Sequence, residues 1–124
     1  MIDFQNSDYL KLRQIKDTEA SEAVAKLVIS GEEVIAGFKT IRDKVIFTNK
    51  RIITMNVQGI TGKRTDYTSI PYSKIQTYSV ETSGTFDMDC ELEIWLSSVG
   101  RVKFEITGGY DIRELSHAIS EYIL

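Results

Sequence analysis

The hydrophobic pattern divides the chain into a helical segment, a long region of strands and a second helical segment. Between residues 18 and 30, apolar side chains recur at helical spacing, which predicts a helix capped by Asp17 or Thr18. From residue 33 to residue 107 the period changes to two, which is typical of strands. Helical spacing returns at the end of the chain, where Asp111 has the capping position. The pattern therefore predicts a mainly β domain with a helix on each side.

Seven strands are predicted within this region, at residues 34–41, 44–48, 51–57, 64–69, 74–81, 86–96 and 101–107. The connections are too short for parallel crossovers, which need about a dozen residues or more, so antiparallel pairing is expected. The 86–96 strand alternates most regularly, and its apolar side consists of Phe86, Met88, Cys90, Leu92, Ile94 and Leu96. Seven strands and a closing amphipathic helix predict two packed sheets or a partly open barrel.

The first part of the chain has no clear period, although it contains bulky apolar residues. Residues 1–16 are compatible with a short helix or with an ordered arm that docks on this chain or on a neighbour. A chain of 124 residues has room for one domain. We therefore expect an N-terminal arm at residues 1–17 and a single domain at residues 18–124.

Composition narrows the classes of function. A net charge of −3 and a pI of about 5.2 argue against nonspecific binding to nucleic acid. A single cysteine excludes an internal disulfide and a thiolate cluster, and a single histidine leaves few metal sites, so no metal or other cofactor is expected. The chain has no apolar run of the roughly 20 residues that span a bilayer. Its first residues do not resemble a secretory signal, so a cytoplasmic location is expected.

A line of acidic residues is the first candidate site, and it consists of Asp87, Asp89, Glu91 and Glu93, followed by Trp95 on the same face. Same-face neighbours on a strand lie about 6.5–7 Å apart, so these carboxylates form a line and not the cage that calcium requires. Exposed tryptophan is typical of interfaces. The line is therefore interpreted as a solvated face or as a face between subunits.

The second candidate site lies near the turns. It consists of Asn49 and four basic residues, Lys50, Arg51, Lys63 and Arg64. The loop at residues 59–63 is not a nucleotide-binding loop, because it lacks the required first glycine and has arginine in place of serine or threonine after the lysine. Nearby acids dilute the positive charge, so binding to membrane lipid is not expected.

No group of residues predicts catalysis. His117 falls outside the apolar stripe of the last helix, and no nucleophile or acid is placed to work with it. Cys90 alternates with Met88 and Leu92 on the apolar side of its strand, which indicates a buried thiol. We therefore expect that the protein is not an enzyme.

Five segments occur in an order that resembles the bacterial pleckstrin homology-like domain family, namely residues 47–53, 58–63, 69–72, 80–84 and 91–95. The resemblance covers roughly residues 18–123. It implies a seven-stranded, bent antiparallel barrel or sandwich that is capped by a C-terminal helix. It also implies no assigned enzymatic activity and, for single-domain members, cyclic homo-oligomers that are pentameric.

The expected function is therefore a noncatalytic protein-interaction module that assembles into a ring and binds a protein partner that the sequence does not identify. In that ring, Trp95 and the acidic line are expected to face Lys50, Arg51 or Lys103 of the next copy. The alternative left open is a domain that binds phospholipid or inositol-phosphate headgroups through Arg42, Lys44, Lys63 and Arg64.

Overall fold

The computed structural model of the chain describes residues 1–2, 4, 7–82 and 89–124, without the side chain of Ser7. Its elements are β1 (Ser7–Ile15), α1 (Asp17–Ala23), β2 (Val34–Lys39), β3 (Lys44–Thr48), β4 (Arg51–Gln58), β5 (Arg64–Pro71), the short 3-10 helix Tyr72–Lys74, β6 (Ile75–Thr82), β7 (Cys90–Leu96), β8 (Gly100–Thr107) and α2 (Ile112–Ile123). The strands β2 to β8 match the seven predicted strands. Phe86, Asp87 and Met88, which the sequence assigns to the start of the 86–96 strand, lie outside the described residues.

The strands described here form one eight-stranded sheet in the order β5-β4-β3-β2-β1-β8-β7-β6. All neighbours are antiparallel except β1 and β8, which are parallel. The sheet bends so that its two halves pack face to face: the rings of Phe47 on β3 and Phe104 on β8 lie 5.7 Å apart although these strands are not neighbours. The expectation of a mainly β sandwich with a C-terminal helix is confirmed, with eight strands where seven were expected.

Strand β1 joins the two halves of the sheet. Its first part pairs with β8 and its last part, Arg13 to Ile15, pairs with β2. The pairing with β8 continues to Arg13, which also pairs with β2, and it is interrupted at Lys11, where the backbone has a φ of 58° and the register with β8 shifts. The side chain of Leu12 is fully buried in the core between the halves. The segment expected as an N-terminal arm therefore contains a central strand, and the helical alternative for it is wrong.

Helix α1 covers the outer face of the first half of the sheet. Ala20 and Val24 pack there against a second apolar cluster that includes Ile15, Ile46 and Ile53. Gly37 of β2 makes this close approach possible, because a Cβ atom at this position would lie 2.5 Å from the Cβ of Ala20.

The predicted extent of α1, residues 18–30, is wrong, because the helix is Asp17–Ala23 and the chain continues in turns. Lys16 has the cap position and makes no side-chain cap, so the predicted cap at Asp17 or Thr18 is also wrong. Backbone groups after the helix find partners outside it. The carbonyl of Leu27 accepts a bond from Arg51, and the amide of Ile29 donates to the Glu32 carboxylate. These bonds with side chains take the place of the backbone hydrogen bonds that a longer helix would make.

The end of the chain forms as predicted. In β7, Cys90, Leu92, Ile94 and Leu96 are buried, and the alternate residues are partly or fully exposed. Helix α2 begins after Asp111, whose Oδ1 accepts a bond from the amide of Arg113 at 3.0 Å. Leu115 and Ile119 of this helix are buried in the main core, and α2 closes one end of the sandwich.

Candidate functional site

Asn49 lies at the turn between β3 and β4 and is used inside the protein. Its Oδ1 accepts a bond from the amide of Glu33 at 2.8 Å, and its Nδ2 donates to the carbonyl of Gly31 at 3.0 Å. These two bonds hold the loop before β2 against the turn. The adjacent Lys50 side chain is exposed. Of these two candidates, only Lys50 is therefore free to meet a partner.

Arg51 is also bound internally, through a network centred on Glu32. Its Nε and Nη2 donate to the two carboxylate oxygens of Glu32 at 2.9 and 3.0 Å, and the Glu32 side chain has no exposed surface. The hydroxyl of Thr48 donates to the same carboxylate at 2.7 Å. Arg51, which the sequence places in a candidate binding site, is thus used within the protein, where it holds Glu32 to the start of β4.

The protonation of Glu32 reflects this network. Desolvation alone would raise the pKa of its carboxyl group, but the bonds from Arg51, Thr48 and the amide of Ile29 outweigh desolvation and lower the pKa below its ordinary value. Glu32 is therefore ionised at neutral pH and forms a charged pair with Arg51.

Lys63 and Arg64 lie at the hairpin between β4 and β5 and are exposed. This loop is a turn with Gly59 and Gly62 at positive φ, as the sequence predicts, and it connects two strands. Arg42 from the hairpin between β2 and β3 donates to the carbonyl of Gly59 at 2.7 Å, which brings the two hairpins together.

The acidic line lies on the outer face of the second half of the sheet. The side chains of Glu91 and Glu93 are partly exposed, Asp89 is exposed, and Trp95 is 45% exposed; Asp87 lies outside the described residues. The register places Glu91 directly between Glu81 on β6 and Glu105 on β8. We call these three residues, Glu81, Glu91 and Glu105, the carboxylate row. Lys103 approaches it, with its Nζ 3.9 Å from Glu91 Oε2.

A basic groove lies at the corner between β1 and the β2–β3 hairpin. It is open, has a volume of about 770 Å³ and is lined by Leu10, Lys11, Arg13, Lys39, Thr40, Ile41, Arg42 and Asp43. Asp43 is the acid of this group, and its Oδ1 accepts a bond from the amide of Val57 at 3.0 Å. Lys63 and Arg64 are not among its lining residues.

Sequence reasoning missed Lys11, Arg13 and Lys39 because they come from strands whose pairing it did not predict. The register sets Arg13 opposite Lys39, and Lys39 opposite Lys44. The signal that could have revealed them is the polar and apolar alternation of residues 8–15, which the bulge at Lys11 interrupts by one residue.

Two groups with potential catalytic chemistry, the buried Cys90 thiol and the partly buried Tyr110 hydroxyl, are protonated at neutral pH. Burial raises the pKa of the Cys90 thiol, and the nearby Asp89 and Asp111 raise it further, so the sulfur is not a thiolate at neutral pH. Burial likewise raises the pKa of Tyr110 to about 12. Among the residues that the structure describes, no three carboxylate, imidazole or thiol side chains are placed to hold a metal ion. Within the same ranges, no helix is long and apolar enough to cross a bilayer.

Solved structures with this fold support the topology. A pleckstrin homology domain protein from Shewanella loihica is 34% identical, with a TM-score of 0.77 over 92% of this chain and 98% of its own. A pleckstrin homology domain from Shewanella amazonensis is 36% identical, with a TM-score of 0.64 over 89% of this chain and 90% of its own. A bacterial protein from Exiguobacterium sibiricum that contains this domain is 19% identical and shares the fold, with a TM-score of 0.69 over 91% of this chain and 62% of its own.

Two proteins of Bacillus subtilis are similar in sequence. The uncharacterized protein YjqA is 53% identical over 76 residues, which are 61% of this chain and 61% of that relative, so the match spans about three fifths of its length. The uncharacterized protein YozO is 26% identical over 108 residues, which are 87% of this chain and 92% of its own. The family model described as the bacterial PH domain matches residues 3–123, a range that includes β1 and all the strands after it. The chain therefore belongs to the bacterial PH domain family.

Proposed function

We propose that this protein is a noncatalytic protein-interaction module that acts as a cyclic homo-oligomer. The observation that carries the proposal is the free edge of the sheet at β6, which has a neighbour on one side only among the strands that the structure describes. Of the eight residues of β6, Ile75 alone is buried. An exposed strand edge presents unpaired backbone donors and acceptors to another chain.

Apolar side chains near this edge support the proposal. Val80 on β6 is exposed, and Trp95 on β7 is nearly half exposed on the outer face. Exposed aromatic and aliphatic side chains beside an open edge are typical of surfaces that bind another protein. The buried Cys90 and Tyr110 described above add no reactive group that would favour an enzyme.

The internal bonds of Arg51 change where the joint between copies is expected. Arg51 is held by Glu32, and Lys103 lies on the same face as the acidic line, so neither is free to meet that line from the next copy. Lys50 is the residue of the original three that is exposed and available. A second set of cations, in the basic groove, is also available.

Light scattering coupled to gel filtration tests this proposal. At micromolar concentration we expect a mass that is a multiple of 14.1 kDa. A mass equal to one chain would contradict the proposal. The number of copies follows directly from the measured mass, and a value of five would agree with the pentamer that the resemblance implies.

Headgroup binding at the basic loops remains the alternative function. The exposed Lys63 and Arg64 and the basic groove favour it, because cations of this kind bind phosphate groups. The expectation from the net charge is that the protein stays in the supernatant when liposomes that contain anionic lipid are sedimented at physiological salt. Saturable sedimentation that Lys63→Glu abolishes would support the alternative.

A further inference from the structure

We propose that the basic groove of one copy docks the carboxylate row of a second copy, an inference that rests on the proposed self-assembly. The basic groove contains two cations that lie directly opposite each other on neighbouring strands, Arg13 and Lys39, and Lys44 beside the groove extends them to a row of three. The carboxylate row is built in the same way. Their charges are opposite, and each repeats at the spacing of strands in a sheet. The partner is therefore another molecule of this chain.

The cations form a row across three strands. Arg13 lies opposite Lys39, and Lys39 lies opposite Lys44, so three positive charges follow one another at the strand spacing of about 4.8 Å. Like charges directly opposite each other destabilise a sheet. None of the ion pairs between described residues involves these three side chains.

The carboxylates form a matching row. Glu81, Glu91 and Glu105 also follow one another across three strands at the same spacing. Lys103 partly neutralises this row, with its Nζ 3.9 Å from Glu91 Oε2, and the amide of Lys11 donates a hydrogen bond to Glu105 at 3.3 Å. Both groups are bound weakly at these distances, so most of the negative charge is available to a partner.

The fold keeps the centres of the two rows apart within one protomer. Lys39 lies on the outer face of the first half of the sheet, and Glu91 lies on the outer face of the second half. Because the halves pack face to face, as the contact of Phe47 with Phe104 shows, these outer faces point away from each other. The groove and the carboxylate row adjoin where the amide of Lys11 donates to Glu105, but the centre of one row can contact the centre of the other only between molecules, and a contact between two different surfaces joins copies head to tail.

Exposed apolar side chains on both surfaces also favour contact with a second copy. Leu10 is half exposed and Ile41 is fully exposed where they line the groove, and Trp95 is nearly half exposed on the same outer face of β7 as Glu91. A small anion would leave these side chains in water, whereas a second copy would cover them. Charge complementarity then fixes which surfaces meet and in which direction.

Charge reversal at the centre of each row tests the inference. Lys39→Glu places a carboxylate between Arg13 and Lys44, and Glu91→Lys places an ammonium between Glu81 and Glu105. Each change relieves repulsion within the protomer, so both variants should fold, and thermal unfolding checks this. Lys26→Glu is the matched control, because Lys26 is an exposed lysine outside the groove, and Lys50→Glu tests the competing joint at Lys50.

We expect each single reversal to weaken association at least about tenfold, measured as the concentration at which the light-scattering mass falls to 14.1 kDa. The double variant Lys39→Glu with Glu91→Lys should regain the wild-type mass, and the control Lys26→Glu should keep it. An assembly that both single reversals leave intact, or that Lys50→Glu breaks instead, would overturn the inference and leave the proposed self-assembly standing. A monomeric wild-type protein would overturn both.

Sedimentation with anionic liposomes tests whether the groove binds lipid instead of a second copy. Vesicles of phosphatidylglycerol and phosphatidylcholine should leave wild-type protein in the supernatant at physiological salt. Sedimentation of the wild type that Lys39→Glu abolishes, with no change in the mass of the assembly, would assign the groove to lipid and overturn the inference.

Discussion

Arg51 shows how the surroundings of one residue decide its role. In the sequence it is a basic residue in an exposed-looking turn, next to Asn49 and Lys50. In the fold its guanidinium group binds the Glu32 carboxylate, the carbonyl of Leu27 and the hydroxyl of Ser69. A planar group with five donors makes four such bonds at once, counting both oxygens of Glu32, whereas lysine has three donors.

Glu32 should contribute stability that depends on pH. Glu32→Gln removes one charge of a buried pair, so we expect the free energy of unfolding at neutral pH to fall by roughly 1.5–3 kcal/mol. The pKa of Glu32 is lower in the folded protein than its ordinary value of 4.5. Its contribution is therefore complete above the ordinary value and is lost as the pH falls through the folded pKa.

Urea unfolding of wild type and Glu32→Gln at successively lower pH measures this effect. The difference between them should narrow on acidification. Glu33→Gln, an exposed neighbour, should change stability little at any pH. A difference between wild type and Glu32→Gln that is constant with pH would contradict the assignment.

The alternation of β7 leads to a second prediction at this scale. Leu92 is fully buried in the main core, so Leu92→Ala should cost roughly 2–5 kcal/mol through the cavity that it leaves. Glu91→Ala, on the opposite face of the same strand, should cost under about 1 kcal/mol. Denaturant unfolding of both variants decides the point, and equal losses would mean that the orientation of the strand is wrong.

Among the elements, α1 depends on one glycine. Gly37→Ala would place a methyl group 2.5 Å from the Cβ of Ala20 and 3.0 Å from the Cδ1 of Ile46. The helix must then move off the sheet, and we expect a loss of roughly 1–3 kcal/mol. Thermal unfolding measures the loss.

A double-mutant cycle attributes this loss to the contact with the helix. Ala20→Gly alone should destabilise the protein through lower helix propensity and lost packing. In the background of Gly37→Ala, the same change makes room for the new methyl group and should cost less. If the losses in stability of the two substitutions are additive, the loss in Gly37→Ala does not arise from its contact with Ala20.

The elements differ in how far the sequence predicts them. Strands β2 to β8 follow from a period of two and from short turns, which are local signals. Strand β1 was not predicted, because the bulge at Lys11 interrupts its alternation and its partner β8 lies far along the chain. The end of α1 was not predicted, because tertiary bonds from Arg51 and Glu32 determine it.

The candidate site was predicted only in part for the same reason. The acidic line belongs to a single strand, so the sequence identified Asp89, Glu91 and Glu93 directly. The carboxylate row and the basic groove each combine residues from different strands. Only the register of the sheet places Lys39 beside Arg13, or Glu81 beside Glu91.

For the whole molecule, the first strand determines whether the two halves can form one core. We expect deletion of residues 1–16 to abolish the cooperative fold, because it removes the buried Tyr9, Leu12 and Ile15 and leaves β2 and β8 without a shared neighbour. Near-ultraviolet circular dichroism and thermal unfolding measure the effect. Deletion of Leu124, which is almost fully exposed, is the control and should be tolerated. A truncated protein that keeps a cooperative transition would support the description of this segment as an arm.

The parallel pairing of β1 with β8 also has a consequence for synthesis on the ribosome. Leu12 and Thr107 are bonded across a separation of 95 positions, so the first strand made lacks one of its two neighbours until β8, the last strand, has emerged. Contacts between residues so distant in sequence make folding slow, because a long loop must close before they form. The nascent chain therefore keeps an unpaired edge and exposed apolar residues for most of its translation, the period in which a chaperone would act on it.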